Sequence, residues 1–233
     1  MQRGEESSVE KAQATQAAIQ ILQICAFYHH SDISLEVFQS AVEKHRKNIA
    51  KKLPKRHSSL NFIWFKVDSD GQWDRFIFGE GISLLLSFSL MRRSQSSEIL
   101  SIHPLMHTWS CERMSKSEQQ RMYELASRIL FYAIPQEFTS QNYAFQRLIC
   151  SHIKANELYA SQMKLIKPYH DNKYIRFVKV MSENREWNNL EKLEVQIMNM
   201  KKKQFGAQHF ATLDSMANLA VTYCNQKRCN EAE

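Results

Sequence analysis

Phe177-Val-Lys-Val-Met-Ser-Glu-Asn-Arg-Glu-Trp187-Asn-Asn-Leu-Glu191 aligns without a gap on Leu219-Ala-Val-Thr-Tyr-Cys-Asn-Gln-Lys-Arg-Cys229-Asn-Glu-Ala-Glu233, an offset of 42 residues. Identities are few, Asn188 with Asn230 and Glu191 with Glu233, but the apolar pattern agrees. A period of this size is the signature of helical hairpins stacked on one another, because a single hairpin cannot bury its apolar face alone. The sequence ends inside the second unit, as expected of a fragment of a longer solenoid.

Composition agrees with a helical reading. Only five glycines and four prolines occur in 233 residues, which disfavours architectures built on many tight turns and favours long helices with short connections. At 43% hydrophobic and 24% charged residues, the chain can build a core and is neither a disordered nor a membrane-spanning composition. The fold class expected is mainly α.

The glycines also exclude one kind of chemistry. None of Gly4, Gly71, Gly79, Gly81 and Gly206 is followed by lysine, so no Walker A loop is present to cradle phosphates. Gly79 and Gly81 form Gly-x-Gly, but Leu84 stands where a dinucleotide fingerprint needs its third glycine.

Upstream of the repeat, apolar periodicity marks a helix over Ala17 to His29, stopping at His30-Ser31-Asp32. A second helix begins after Ser34, with Val37, Phe38, Ala41 and Val42 inward. Residues 52 to 73 read as an irregular insertion around Phe62, Trp64 and Phe65, and Asp74 caps a third helix to about Leu86. Ser87 to Arg93 and Glu98 to Ile102 read as strands joined by the polar turn 94 to 97. Three helices and a hairpin are the outline of a winged helix. His103 to Met114 is a further helix opened by Pro104, and Ser115 with Glu118 forms a capping box for one that runs through Ala133 to Pro135. Residues 136 to 170 read as more helix. The domain plan is a flexible N-terminus over 1–16, a degenerate winged helix over 17–115, a helical connector over 116–171, and truncated repeats over 172–233.

Net charge is +7, and the excess is local: Lys44, Arg46, Lys47, Lys51, Lys52, Lys55 and Arg56 crowd one stretch. Cys224 and Cys229 miss the Cys-x-x-Cys spacing of zinc and redox sites, and Cys25, Cys111 and Cys150 read as buried thiols of a reducing compartment. The first sixteen residues are polar and acidic where a signal peptide would be apolar, and the most apolar run, Ile82 to Met91, is about half a membrane span. A cytoplasmic protein without a membrane span is expected.

Two stretches carry a family resemblance. Met200-Lys-Lys-Lys-Gln-Phe-Gly206-Ala-Gln-His209-Phe-Ala-Thr212-Leu-Asp-Ser-Met-Ala-Asn218-Leu-Ala-Val-Thr-Tyr223 is similar to the kinesin-light-chain type of tetratricopeptide repeat, with its glycine, histidine, threonine and Asn-Leu-Ala-x-x-Tyr spacing. Ile82-Ser-Leu-Leu-Leu-Ser-Phe-Ser-Leu-Met91, followed by Ile102-His103-Pro-Leu-Met-His107-Thr-Trp109, resembles the winged-helix end of the NB-ARC module in fungal NLR-like STAND proteins, where such repeats follow. The resemblance implies a non-enzymatic interaction and regulatory fragment of a signalling protein of defence or self/non-self recognition. It places His103 on a histidine that senses the diphosphate of a bound nucleotide, although Ile102 and Pro104 flank it and the aspartate of that motif is missing. ADP or ATP is expected only for full-length relatives that carry a phosphate loop. This chain should hold no cofactor, and His103 could contact nucleotide only if a nucleotide-binding domain is supplied elsewhere. Arg185 and Lys227 stand where the repeat family usually has glycine, and Glu194 and Ile197 replace the aromatic and small residues expected inside.

In such a repeat the first helix lines a concave groove, so the 211 to 226 helix should present Asp214, Asn218, Val221, Thr222 and Asn225 to a protein or peptide ligand. Self-association is a further expectation of the family. No catalytic residue is assigned, since no nucleophile elbow or cysteine signature frames the serines, histidines and acids. His103 and His107 have the four-residue spacing of a helical metal pair, but Pro104 replaces the glutamate of a zincin and no metal is assigned. His29-His30 reads as a polar helix end. Trp64, Trp73, Trp109 and Trp187 read as core or hinge anchors. The alternative function is a winged-helix nucleic-acid binder using the basic 44–57 segment; a major-groove reader needs polar residues on the third helix, and from Asp74 to Leu90 only Arg75 qualifies.

Overall fold

The computed structural model describes residues 2–50, 64–65, 72–95, 98–164 and 171–231, the side chains of 2–8, 46–50, 140, 171 and 172 excepted. The chain is mainly helical with a small three-stranded sheet, and it divides into two units, Met1–Ile166 and Lys167–Glu233.

In the first unit the order is α1 (Gln2–Cys25), β1 (Ile33–Ser34), α2 (Leu35–Ala50), α3 (Phe76–Ser87), β2 (Met91–Arg93), β3 (Ile99–Ile102), α4 (Pro104–Glu112), α5 (Lys116–Ala133) and α6 (Tyr143–Gln162). The strands pair antiparallel in the order β1-β3-β2, with Ile33 opposite Leu100 and Met91 opposite Ile102. Those four side chains are buried, so the sheet puts one face on the core. α1 and α3 approach closely because small residues meet. A Cβ built on Gly81 would lie 3.0 Å from Ala17 Cβ and 3.0 Å from the Ala18 backbone nitrogen. Phe38, Trp64 and Phe78 pack as a cluster with ring centroids 5.1 to 5.8 Å apart, and Trp73 Nε1 donates to the Trp64 carbonyl at 2.8 Å.

The chain just past α1 leaves three carbonyls buried, and each meets a side chain from a later helix. Cys111 Sγ donates to Ala26 O at 3.0 Å, Asn156 Nδ2 to Phe27 O at 3.4 Å, and His107 Nε2, as the Nε2–H tautomer, to Tyr28 O at 2.9 Å. A helix end buried without such partners would lose about 1–3 kcal/mol per orphaned group, so these polar residues of α4 and α6 are needed where they stand. The capping box at α5 is complete, Glu118 N–H donating to Ser115 Oγ and Ser115 N–H to Glu118 Oε2. Lys44 Nζ donates to Ala133 O and Ile134 O, both at 3.0 Å, at the negative end of α5.

Several expectations need correction. Residues 2–16, expected as a flexible tail, are helical and continuous with α1, in keeping with the alanines, glutamines and lysine of 9–16. Ser87 to Leu90 is not extended: Ser87 closes α3, Ser89 takes a φ of 56°, and Leu90 N–H donates to Leu85 O. The 116–171 connector is not a separate element, because α5 and α6 belong to the first unit and bury Tyr123, Ala126, Ile129, Leu130, Ile149 and Ile153 in its core. Among the described residues of 136–170, the helix covers Tyr143–Gln162 after a short 3-10 turn at Ser140–Asn142. Trp109 is not a core anchor. It is 48% exposed, with the Arg113 guanidinium 5.3 Å from its ring centre. Phe62, most of the 52–73 insertion and Ser96-Ser97 of the hairpin turn lie outside the described residues.

The second unit comprises α7 (Asp171–Glu183), α8 (Trp187–Phe205) and α9 (Phe210–Asn225), with α8 packed against both neighbours. Tyr174, Phe177, Val180 and Met181 of α7 and Leu190, Leu193 and Ile197 of α8 form its core. α9 turns inward mainly small polar residues, Thr212, Ser215 and Thr222, around Leu219. The 42-residue offset is present in the backbone itself. After α7, Asn184, Arg185 and Glu186 N–H groups bond the carbonyls of Val180, Ser182 and Met181; after α9, Gln226, Lys227 and Arg228 bond those of Thr222, Cys224 and Tyr223. Each is a Schellman-type stop, and Arg185 and Lys227 take its left-handed position.

Candidate partner-binding groove

The entry to α9 explains the glycine, histidine and threonine of the sequence stretch. Gly206 has a φ of 94°, which a residue with a Cβ adopts only under strain, and it ends α8. His209 is the N-cap, its Nδ1 accepting from Ala211 N–H at 3.1 Å, with its ring stacked 4.8 Å from Phe205. Thr212 Oγ1, fully buried, donates back to Gly206 O at 2.8 Å. Three side-chain identities therefore fix one turn and with it the rotation of α9 about its axis.

That rotation places Asp214, Asn218, Val221 and Asn225 along one side of the helix, at the spacing of about one helical turn. They border a groove of about 290 Å³ whose other lining comes from Ile175, Val178 and Ser182 of α7 and from Trp187, Leu190, Glu194, Ile197 and Lys201 of α8. Val221 is 60% and Ile175 64% exposed, so the two walls offer apolar surface to solvent. Asn218 and Asn225 are exposed, and Asn225 Nδ2 donates to Val221 O at 3.0 Å, which leaves its Oδ1 as an acceptor. Asp214 stands 4.0 Å from Lys201 Nζ, an ion pair with the carboxylate half exposed.

Thr222 also borders the groove but does not present itself to a ligand. It is 2% exposed, turned into the packing between α8 and α9. Its place follows from the helix period, since it continues the inward row Thr212, Ser215, Leu219. Glu194 is itself 5% exposed; burial pushes its carboxyl above the usual range, the neighbouring Thr222 hydroxyl acting the other way, and Oε2 has no hydrogen-bond partner among the described residues. Sequence reading marks Glu194 as a departure inside a repeat without giving it a role. The α7 wall could have been found from the three- and four-residue spacing of Ile175, Val178 and Ser182, but only once α7 and α9 were known to share α8.

The other candidate residues are dispersed. His103 is an exposed N-cap of α4, its Nδ1 accepting from Leu105 N–H at 3.3 Å, whereas His107 is buried with its Nε2 on Tyr28 O. Burial holds His107 below the usual imidazole range. The pair therefore does not converge on one point, and no cluster of metal-ligating residues occurs among the described residues. The exposed side of α3 carries Phe76, Gly79, Glu80, Ser83 and Ser87 and no cation, while Arg75 pairs with Gln39 and lies over Trp73. Of the basic 44–57 segment, Lys44 is spent on the end of α5; the side chains of Arg46 and Lys47, and all of Lys51, Lys52, Lys55 and Arg56, lie outside the described residues. Among the described residues no helix is long and apolar enough to cross a membrane. No family model matches the chain, and no similar curated protein or solved structure was found.

Proposed function

We propose that this chain is a non-enzymatic protein–protein interaction and regulatory fragment, in which the second unit holds a polypeptide ligand in the groove between α7 and α9. The observation that carries the reading is the 42-residue recurrence of the same helix stop, together with the row Asp214, Asn218, Val221 and Asn225 that it leaves facing an open, half-apolar groove. Asn218 and Asn225 supply amides for a peptide backbone, and Ile175, Val178 and Val221 supply apolar walls for its side chains. On this reading the second unit is the start of a tetratricopeptide array of the kinesin-light-chain type.

The first unit is read as a degenerate winged helix extended by α5 and α6. Its support is the element order helix, strand, helix, helix, strand, strand and the sheet order β1-β3-β2. Together with the sequence resemblance, this supports reading the chain as part of a fungal NLR-like STAND protein of the cytoplasm, in which the winged helix would restrain a nucleotide-bound resting state and the repeats would sense a partner. His103 retains a role only if a nucleotide-binding domain is supplied elsewhere. Its Nδ1 is committed to the cap of α4 and its Nε2 is the atom left for a phosphate oxygen.

The competing reading, nucleic-acid binding through 44–57, is weakened by the cation-free outer side of α3 and by the commitment of Lys44. A displayed random-peptide library selected on the immobilised chain, beside a mixed-sequence DNA duplex titrated at two salt concentrations, separates the two. Peptide clones lost on Val221→Asp, with no duplex binding, support the groove. Duplex binding that falls steeply with salt, with no enriched peptide, contradicts it.

A further inference from the structure

The groove lining holds a buried carboxyl group that no cation accompanies among the described residues. Glu194 lies on the groove lining at 5% exposure, and its Oε2 has no hydrogen-bond partner among the described residues. The cation on the same lining, Lys201, stands with Asp214 instead. A buried carboxylate with an unused oxygen is unfavourable unless something satisfies it or it takes up a proton.

We propose that Glu194 is the specificity residue of the groove and that the occupant is a partner polypeptide inserting a lysine side chain. Three observations select that chemistry. The walls beside Glu194, from Val178, Leu190 and Val221, suit the methylene stem of a long side chain. Oε2 is the carboxylate oxygen without a partner, and a single accepting oxygen suits an ammonium point charge better than the planar fork of arginine, which is strongest where both oxygens are open to it. The acceptor Oδ1 of Asn225 lies on the same lining, a second partner for the three ammonium donors. An acidic or purely apolar insert would leave the carboxylate as it is, so charge complementarity favours lysine over both.

This inference rests on the groove reading and is tested so that the two fail separately. The full chain, labelled with nitrogen-15, is titrated with three acetylated and amidated peptides, Ala-Leu-X-Leu-Ala with X as lysine, norleucine or glutamate. Amide shifts of Asn218, Val221 and Asn225 report the groove. The lysine peptide is expected to bind about tenfold tighter than the norleucine peptide, and Glu194→Gln, nearly isosteric, is expected to erase that preference while circular dichroism shows an unchanged fold. Norleucine binding as tightly as lysine overturns the role of Glu194 and leaves the groove reading standing. No groove shift with any peptide overturns both. Groove shifts that grow with protein concentration alone place a second copy of the chain there and overturn the lysine assignment.

Discussion

Arg185 and Lys227, 42 residues apart, occupy the same left-handed backbone position, with φ values of 56° and 63°, and each closes a helix through the same pattern of hydrogen bonds. Side chains with a Cβ are strained in that region, and glycine is not. Both side chains are exposed and the turn does not use them, so the backbone bears a strain that no contact of the side chain within the turn offsets. Arg185→Gly and Lys227→Gly are each expected to stabilise the second unit by about 0.5–1 kcal/mol. Urea unfolding followed by the signal of that unit checks this, and destabilisation by either would show that its side chain contributes more than its backbone costs.

The glycines of α3 should respond in opposite directions. Gly81→Ala places a Cβ 3.0 Å from Ala17 Cβ and from the backbone of Ala18, so it is expected to cost about 1–3 kcal/mol by forcing α1 and α3 apart. Gly79, whose Cβ would meet nothing within 4 Å, should gain about 0.5–1 kcal/mol on mutation to alanine through helix propensity alone. Thermal unfolding of the two variants distinguishes close packing from a general aversion to alanine.

Acid should weaken the first unit through His152. Its ring is fully buried, its Nε2 lies 3.0 Å from Asp32 O, and burial lowers its pKa from 6.5 to about 4. Between these values the unfolded chain takes up a proton that the folded chain refuses, so the stability is present above pH 6.5 and is lost as pH falls toward 4. The loss attributable to this residue is on the order of 3 kcal/mol. Urea unfolding from pH 7 to pH 4.5 should show the decline, and His152→Gln should flatten it; an unchanged slope in the variant would assign the acid sensitivity elsewhere.

The turn before α9 is expected to depend on one hydroxyl. Thr212→Val keeps shape but removes the bond to Gly206 O, and should cost about 1–2 kcal/mol because the threonine is fully buried. His209→Ala removes the N-cap and should cost about 1 kcal/mol. Hydrogen exchange of α9 amides reads both, and equal protection in variants and parent would contradict the account of how α9 is oriented.

Features set by a few neighbouring residues were legible in the sequence. Ser115 and Glu118 announce their capping box, Pro104 opens α4, and the stops after α7 and α9 can be matched by offset alone. Features set by distant partners were not. β1 is two residues long and exists because β3 pairs with it, and α5 and α6 look like a connector until α5 is seen against α1 and α2 and α6 against α5. Ser87 to Leu90 reads as strand because it leads directly into the apolar start of β2, whereas a turn with Ser89 in the left-handed region separates α3 from that strand. In the groove, Asp214, Asn218, Val221 and Asn225 follow from helical spacing, while Thr222 falls on the inward row and Glu194 gains meaning only beside it.

The most direct test of the account is the site at which a peptide selected on the intact chain binds, mapped by nitrogen-15 amide shifts. Shifts confined to α9 residues 214–225 and the facing α7 residues 175–182, abolished by Val221→Asp, are the predicted result. Shifts centred on α3 and the β2–β3 hairpin, or a selected peptide that binds Val221→Asp as tightly as the parent, would contradict the claim that this groove is where the protein meets its partner.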